Sequence, residues 1–282
     1  MEIPADVRRQ ALHPFREVFL PVGWERVDRG SICVCLHPLP IAKIVEPLNL
    51  GPDEVEAAVE DARAVLRDRS GSLLVWWVAP EDVVLGDRLE QLGLVNEETP
   101  GFEAVENAMA LVVAPPGDRP EGIAVKEVES FAEFAASNRV SAEAFEMPQA
   151  VRDEMEAKLP EQYEEYVTPG STVRQFNASI DGRVVGTAAA VRGPAAVNLF
   201  GGSVTGAARG RGVYRALTHA RWEFAVAHGT PALTVQAGRM SKPIAERVGF
   251  APVGAVRLYV DDFASVAAPA RARPGRSARR AS

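Results

Sequence analysis

Cysteine is scarce in this 282-residue chain: Cys33 and Cys35 are the only two, in a single C-x-C. Two cysteines one residue apart cannot build a disulfide framework. On one face of a strand they read as small buried hydrophobes rather than thiol catalysts. Histidine is sparse too, and His13, His37, His219 and His228 show no metal-ligand spacing, so no metal is expected. His219 and His228 are expected at the surface. No apolar run approaches the ~20 residues of a membrane span, which excludes a transmembrane reading and leaves no membrane partner expected. The opening MEIPADVRRQ lacks the basic-then-apolar layout of a secretory leader, so the expected location is cytoplasmic.

What the chain does have is apolar material for sizeable cores, with 47% hydrophobic and 24% charged residues, and a length that suits two domains. The formal net charge is -7, although Arg271, Arg273, Arg276, Arg279 and Arg280 crowd an acid-free Ala/Pro/Arg/Ser tail. The rest of the chain is therefore more acidic than the total suggests. Such a body repels nucleic acid, which is not expected as a partner, and favours cationic small substrates. The tail, 264–282, reads as disordered, having too little apolar surface to offset the entropy of ordering.

Pro and Gly in APPGDRPEG mark a linker over 116–121 between two halves. In 1–115, SICVCLH, PIAKIV, LLVWWVAP and ENAMALVV read as strands. GPDEVEAAVEDARAVLRDR reads as a helix with Val55, Ala58, Val59, Ala62, Val65 and Leu66 on one stripe. Trp76 and Trp77 face opposite sides of their strand, so both faces should be covered. After the linker the order reads β-α-α-β-β-β-α-β-α-β. Asp181-Gly182 turns a hairpin, Pro148 sits in the first turn of the second helix, and Gly229 stops a later one. The run from LLVWWVAP through Gln91-Leu92-Gly93-Leu94 to MALVV echoes the run from LTVQA through Arg247-Val248-Gly249-Phe250 to RLYV. Duplication or chance similarity of common strand–helix–strand material would each produce this.

The most specific feature is Arg209-Gly210-Arg211-Gly212-Val213-Tyr214, between a strand and an amphipathic helix. Glycines let the backbone turn sharply, so the first free N–H groups of the helix converge on one spot. With the positive end of the helix dipole, that spot suits a pyrophosphate. Arg209 and Arg211 add charge-assisted contacts. The loop lacks the lysine of a nucleotide-triphosphatase P-loop, and a meander precedes it, which argues against a nucleotide-binding fold.

Together with that meander, the strand after the loop and the closing Gly249-Phe250, this segment resembles the GNAT superfamily of acyl-CoA-dependent N-acetyltransferases over about 122–262. The family's loop reads Gln/Arg-x-x-Gly-x-Gly/Ala, and Arg209-x-x-Gly212-x-Tyr214 fits all but the last position. The resemblance implies a mixed, mostly antiparallel sheet flanked by helices (α/β in the α+β sense), with 122–263 as the catalytic domain. It implies acetyl-CoA as co-substrate, held along Gly202, Ser203 and Val204 and by residues 209–214. The Val204 amide would face the thioester oxygen. It implies a small-molecule or peptide amine as acceptor, attacking directly in a ternary complex.

Departures from the family pattern are specific. Tyr214 replaces a small residue and must point outward or stack near the cofactor. Many members carry a proton-donating tyrosine five residues before the final Phe, where this chain has Ala245. Ser241 opens the same helix, either as its N-cap or with its hydroxyl reaching the sulfur. Glu143 and Glu146 flank the expected acceptor site as candidate bases or as solvated helix-end charges, and Met240 reads as core. In the first half, Asp53 and Glu54 stand where a phosphate would bind and would repel it. That half, 1–115, reads as a degenerate GNAT-like lobe, serving as a packing partner or the surface of a possible homodimer. A catalytically silent acyl-CoA-binding sensor is the alternative function.

Overall fold

The computed structural model describes residues 2–18, 20, 24–37, 41–69 and 71–266, so most of the basic tail lies outside the described residues. In the N-terminal half the elements are α1 (Ala5–Leu12), α2 (Pro14–Glu17), β1 (Glu25–Arg29), β2 (Ile32–Leu36), β3 (Lys43–Pro47), α3 (Val55–Arg67), β4 (Leu73–Val78), α4 (Val83–Gln91), β5 (Val95–Asn96) and β6 (Val105–Leu111). The C-terminal half continues with β7 (Ala124–Glu127), α5 (Phe131–Ala144), α6 (Gln149–Tyr166), β8 (Val173–Ile180), β9 (Arg183–Arg192), β10 (Val197–Val204), α7 (Val213–Ala227), β11 (Leu233–Ala237), α8 (Lys242–Arg247), β12 (Ala251–Asp262) and α9 (Phe263–Val266).

Local chemistry accounts for most of these boundaries. The α3 stripe read from the sequence is buried at all six positions. Ser130 and Glu133 form a reciprocal capping box that starts α5, satisfying donors no helical carbonyl can reach. Pro148 stands one residue outside α6 rather than in its first turn, and that helix runs on through Pro160 to Tyr166. Trp76 and Trp77 enter different cores on opposite faces of the sheet. The helix α1, with three arginine or aspartate residues among its eight, carries too little apolar periodicity to stand out in the sequence.

The twelve strands of the described residues join one sheet, in the order β1-β2-β3-β4-β12-β6-β11-β10-β9-β8-β7, with β5 pairing β12. It is mixed and mostly antiparallel: among the described residues only β3–β4 and β10–β11 are parallel. Each parallel pair belongs to one half, but the strand beside it does not. The closing strand of the first half, β6, lies antiparallel to β11, and the closing strand of the second, β12, lies antiparallel to β4. β6 and β12 also pair with each other. The echo between the two halves is therefore a repeated strand–helix–strand unit whose last strand crosses into the other half.

Side chains hold this exchange in place. Arg63 on α3 makes a two-pronged ion pair with Asp261 on β12, at 2.9 and 2.8 Å, and Asp261 is 3% exposed. A bidentate pair fixes direction as well as energy. The core beneath the seam mixes Val7, Ala11 and Leu12 of α1 with Ala108 and Ala110 of β6 and Val256 and Leu258 of β12. Gln10, fully buried, accepts from the N–H groups of Ala195 and Ala196 and donates to the Ala196 carbonyl. Gln236 on β11 donates back to the Ala11 carbonyl.

Candidate active-site cleft

The parallel pair β10–β11 closes only over Val197–Leu199 against Leu233–Val235. Beyond it β10 carries an irregularity between Phe200 and Ser203 and parts from its neighbour. Parting strands leave an edge of unpaired backbone groups, which is where a ligand can add hydrogen bonds as an extra strand would. The Thr205 N–H donates to Val185 on β9, so alternation along the strand turns the Val204 N–H to the open edge. Gly201, Gly202, Ser203 and Val204 all line a cleft of 1680 Å³ at this point.

The loop 206–212 forms the next wall, and α7 starts at its end. Gly212 precedes α7 with φ of 87° and no side chain caps the helix, so its first N–H groups stay directed at the cleft. A Cβ at Gly212 would meet the Pro120 ring at 2.9 Å, so this position tolerates neither the conformation nor the bulk of another residue. Deeper, Gly186 on β9 gives α7 its close approach: a Cβ there would sit 2.4 Å from the Val213 side chain. Residues Arg209 to Arg215 all line the cleft. Arg209 and Arg211 are exposed, and Arg209 reaches the Ala144 carbonyl at 3.3 Å. Tyr214 turns inward rather than to solvent, its ring 3.5 Å from where Gly202 would carry a Cβ. The Tyr214 ring thus packs within ordinary contact range of the Gly202 backbone.

The opposite wall comes from the other half. Glu98 and Glu103, in the stretch that leads into β6, and Glu106, in β6 itself, line the same cleft as the loop. Arg239 pairs with Glu98 at 2.9 Å and Glu103 at 3.5 Å. Glu106 has no cationic partner among the described residues; the Glu103 N–H approaches it at 3.5 Å. Burial pushes its carboxyl up to about 7, against the pull of that N–H and with a smaller upward contribution from the Glu103 charge.

The other candidates fall variously. Ser241 lines the cleft, but its hydroxyl donates to the Gly238 carbonyl at 3.3 Å and caps nothing. Glu143 and Glu146 are exposed, and Glu146, with φ of 50°, lies outside the cleft lining. Ser203 buries its side chain and shares a 3.2 Å hydrogen bond with Ser141 of α5. Ala245 is fully buried in the core, so that position faces no ligand. Met240, expected in the core, is 78% exposed on the cleft. His228 is exposed and His219 half-buried on the flank of α7. Burial pushes both cysteine thiols up to about 12 and leaves them protonated. Glu106 was missed because its position depends on the crossing of β6.

The corresponding point of the first half is closed. A 3-10 turn over 52–54 precedes α3, and the Glu54 carboxylate accepts from the Gly51 N–H at 2.9 Å. Two acids, Asp53 and Glu54, thus lead into α3, whereas the loop before α7 carries Arg209 and Arg211.

No family model matches this sequence, and no curated protein does. Solved structures match its fold across both halves. A GCN5-related N-acetyltransferase from Kribbella flavida is 17% identical, over 90% of this chain and 95% of that one, with a TM-score of 0.68. One from Sphaerobacter thermophilus is 16% identical over 84% and 82%, with a TM-score of 0.59. A tandem GNAT protein from the clavulanic acid biosynthesis pathway is 16% identical over 92% and 88%, with a TM-score of 0.60. At such identities the likeness is one of fold: this chain has the fold of the GCN5-related N-acetyltransferases in a tandem arrangement.

Proposed function

We propose that the protein is an acyl-CoA-dependent N-acyltransferase, with acetyl-CoA as the simplest donor and a primary amine as acceptor. The observation that carries the reading is the single cleft in which an uncapped helix N-terminus faces an open strand edge and an unpaired carboxylate. The residues fit the donor. Uncapped N–H groups at the start of α7, with Arg209 and Arg211, suit a pyrophosphate. The bared edge at Gly202–Val204 suits the amides of the pantetheine arm. The thioester supplies an activated acyl carbon.

On this reading the chain's own groups do three things. The Val204 N–H holds the acyl oxygen as charge develops there, a contribution of the kind that is worth about 2.7–4 kcal/mol. Glu106, standing where Glu146 was expected to act, attracts the alkylammonium and removes its proton. The amine's ordinary pKa of ~10.4 means that few acceptors arrive neutral at pH 7. A carboxyl titrating at about 7 is ionised often enough to serve and basic enough to help. Ser241 lines the cleft, and its hydroxyl would have to leave the Gly238 carbonyl to serve the departing thiolate.

A silent CoA-binding module is the second reading, favoured by Ala245, whose burial leaves no proton donor at the family's usual tyrosine position. Turnover separates them. The test is thiol release from acetyl-CoA against a panel of primary amines between pH 6 and 9. Release that rises through about pH 7 and collapses in Glu106→Gln supports the transferase. Tight CoA binding with no release for any amine would favour the silent module.

A further inference from the structure

The cleft holds a buried charged group for which amine acylation has no use. Arg221 lies on the sheet-facing side of α7, in helical register with the buried Val213, Leu217 and Phe224, and is itself 1% exposed. It nevertheless lines the cleft. Its Nε donates to the Leu217 carbonyl at 3.1 Å, one turn back, and its Nη1 reaches the Ala189 carbonyl at a long 3.4 Å. Nη2 is buried and makes no hydrogen bond of normal geometry among the described residues; Tyr214 is the neighbouring group that favours the charge. The Tyr214 ring lies 5.9 Å from the guanidinium carbon, and among the described residues no carboxylate compensates the charge.

An apolar side chain would fill this helical position without the cost of desolvating a cation. A buried guanidinium with a free donor therefore points to an anion that arrives with the ligand. Its place in the fold says which part of the ligand. The Arg221 backbone is eight residues along α7 from Val213, and its side chain folds back one turn, bringing the guanidinium beside Tyr214 and the Ala189 carbonyl. Ala189, whose carbonyl it touches, pairs with Phe200, where β10 begins its irregular stretch. The guanidinium thus stands inward of the Gly202–Val204 edge, on the acyl side of the thioester.

We propose that Arg221, with Tyr214 beside it, forms an anion subsite for a carboxylate at the far end of the donor's acyl chain. The preferred donors are then CoA monothioesters of short dicarboxylic acids rather than acetyl-CoA. The inference rests on the acyl-CoA reading above and sharpens it. The transfer step is unchanged: the C–N bond forms, the C–S bond breaks, the amine proton leaves through Glu106, and the distal carboxylate takes no part.

The test is calorimetric binding of free CoA and of acetyl-, malonyl-, succinyl- and glutaryl-CoA to the full chain. At least one dicarboxylic thioester is expected to bind about tenfold tighter than acetyl-CoA. Arg221→Met, which keeps an unbranched stem, is expected to erase that preference while binding acetyl-CoA as before. Should Arg221→Met fail to fold in a thermal melt, the methyl ester of succinyl-CoA replaces it as the probe on wild type. Loss of preference with the ester shows that the carboxylate is read. Equal binding of all thioesters, or a preference that survives in Arg221→Met or with the ester, overturns the proposal. Failure of free CoA itself to bind overturns the reading beneath it.

Discussion

The two halves reach the same backbone point and then diverge. In the first, the parallel pair β3–β4 ends at Val45 opposite Trp76; in the second, β10–β11 ends at Leu199 opposite Val235. Past that point the first half continues with Glu46-Pro47 and the second with Phe200, Gly201 and Gly202. Trp76 and its strand partner Tyr259, both fully buried, fill the first; Val235 and its partner Met109 leave room in the second. Three residues back from those partners stand Val256 and Glu106 respectively. Asp53 and Glu54 lead into α3, whereas Arg211 and Gly212 lead into α7. One architecture thus becomes a core or a cleft through a handful of side chains, and the exchange of β6 and β12 lets the closed half furnish the open half's carboxylate.

The sharpest way to break this comparison is at that carboxylate. Glu106→Gln is expected to lower kcat by about 10²- to 10⁴-fold with little change in the KM for the thioester, the range a positioned base contributes. Steady-state kinetics across pH would also lose the rise near 7. A strand exchange held by Arg63 and Asp261 predicts that Asp261→Ala costs about 1.5–3 kcal/mol in chemical denaturation, because it removes the two-pronged partner and leaves Arg63 only its pair with the exposed Glu60. Gly186→Ala pushes a Cβ into Val213 and should cost about 1–3 kcal/mol, displacing the start of α7 and weakening CoA binding with it.

Smaller effects sharpen the comparison. The Glu106 carboxyl is raised in the folded state, so folding favours its protonated form. Relative to Glu106→Gln, wild-type stability should fall as pH climbs from the ordinary 4.5 to about 7 and level off above; thermal melts at matched pH read this. Glu54→Ala removes only a cap on an exposed turn, with an expected loss of about 0.5–1 kcal/mol. It should create no second CoA site, since Trp76 and Tyr259 still fill the space behind it.

Much of this was legible beforehand, and the rest was hidden for physical reasons. Local periodicity and turn chemistry gave the element order of the second half, the α3 stripe and the glycine loop. The acids at 53–54, ahead of α3, were legible too. The crossing of β6 and β12 was invisible, since ENAMALVV and RLYV are both apolar closing strands and pattern does not choose a partner. Glu106 stayed hidden with it, because its site exists only after the crossing. Arg221 was open to detection: it sits on the apolar stripe of α7, where a cation breaks the period. The exposure of Glu146 and Met240 depends on how far neighbouring loops stand off the sheet, which no local signal encodes.

The most direct test of the account is the stoichiometry of CoA binding by calorimetry, with wild type beside an Arg209→Ala/Gly212→Asp double variant. One site per chain, lost in the double variant, is the result expected if only the open half holds the cofactor. Two sites per chain, or binding that survives in the double variant, would contradict the division between an open and a closed half.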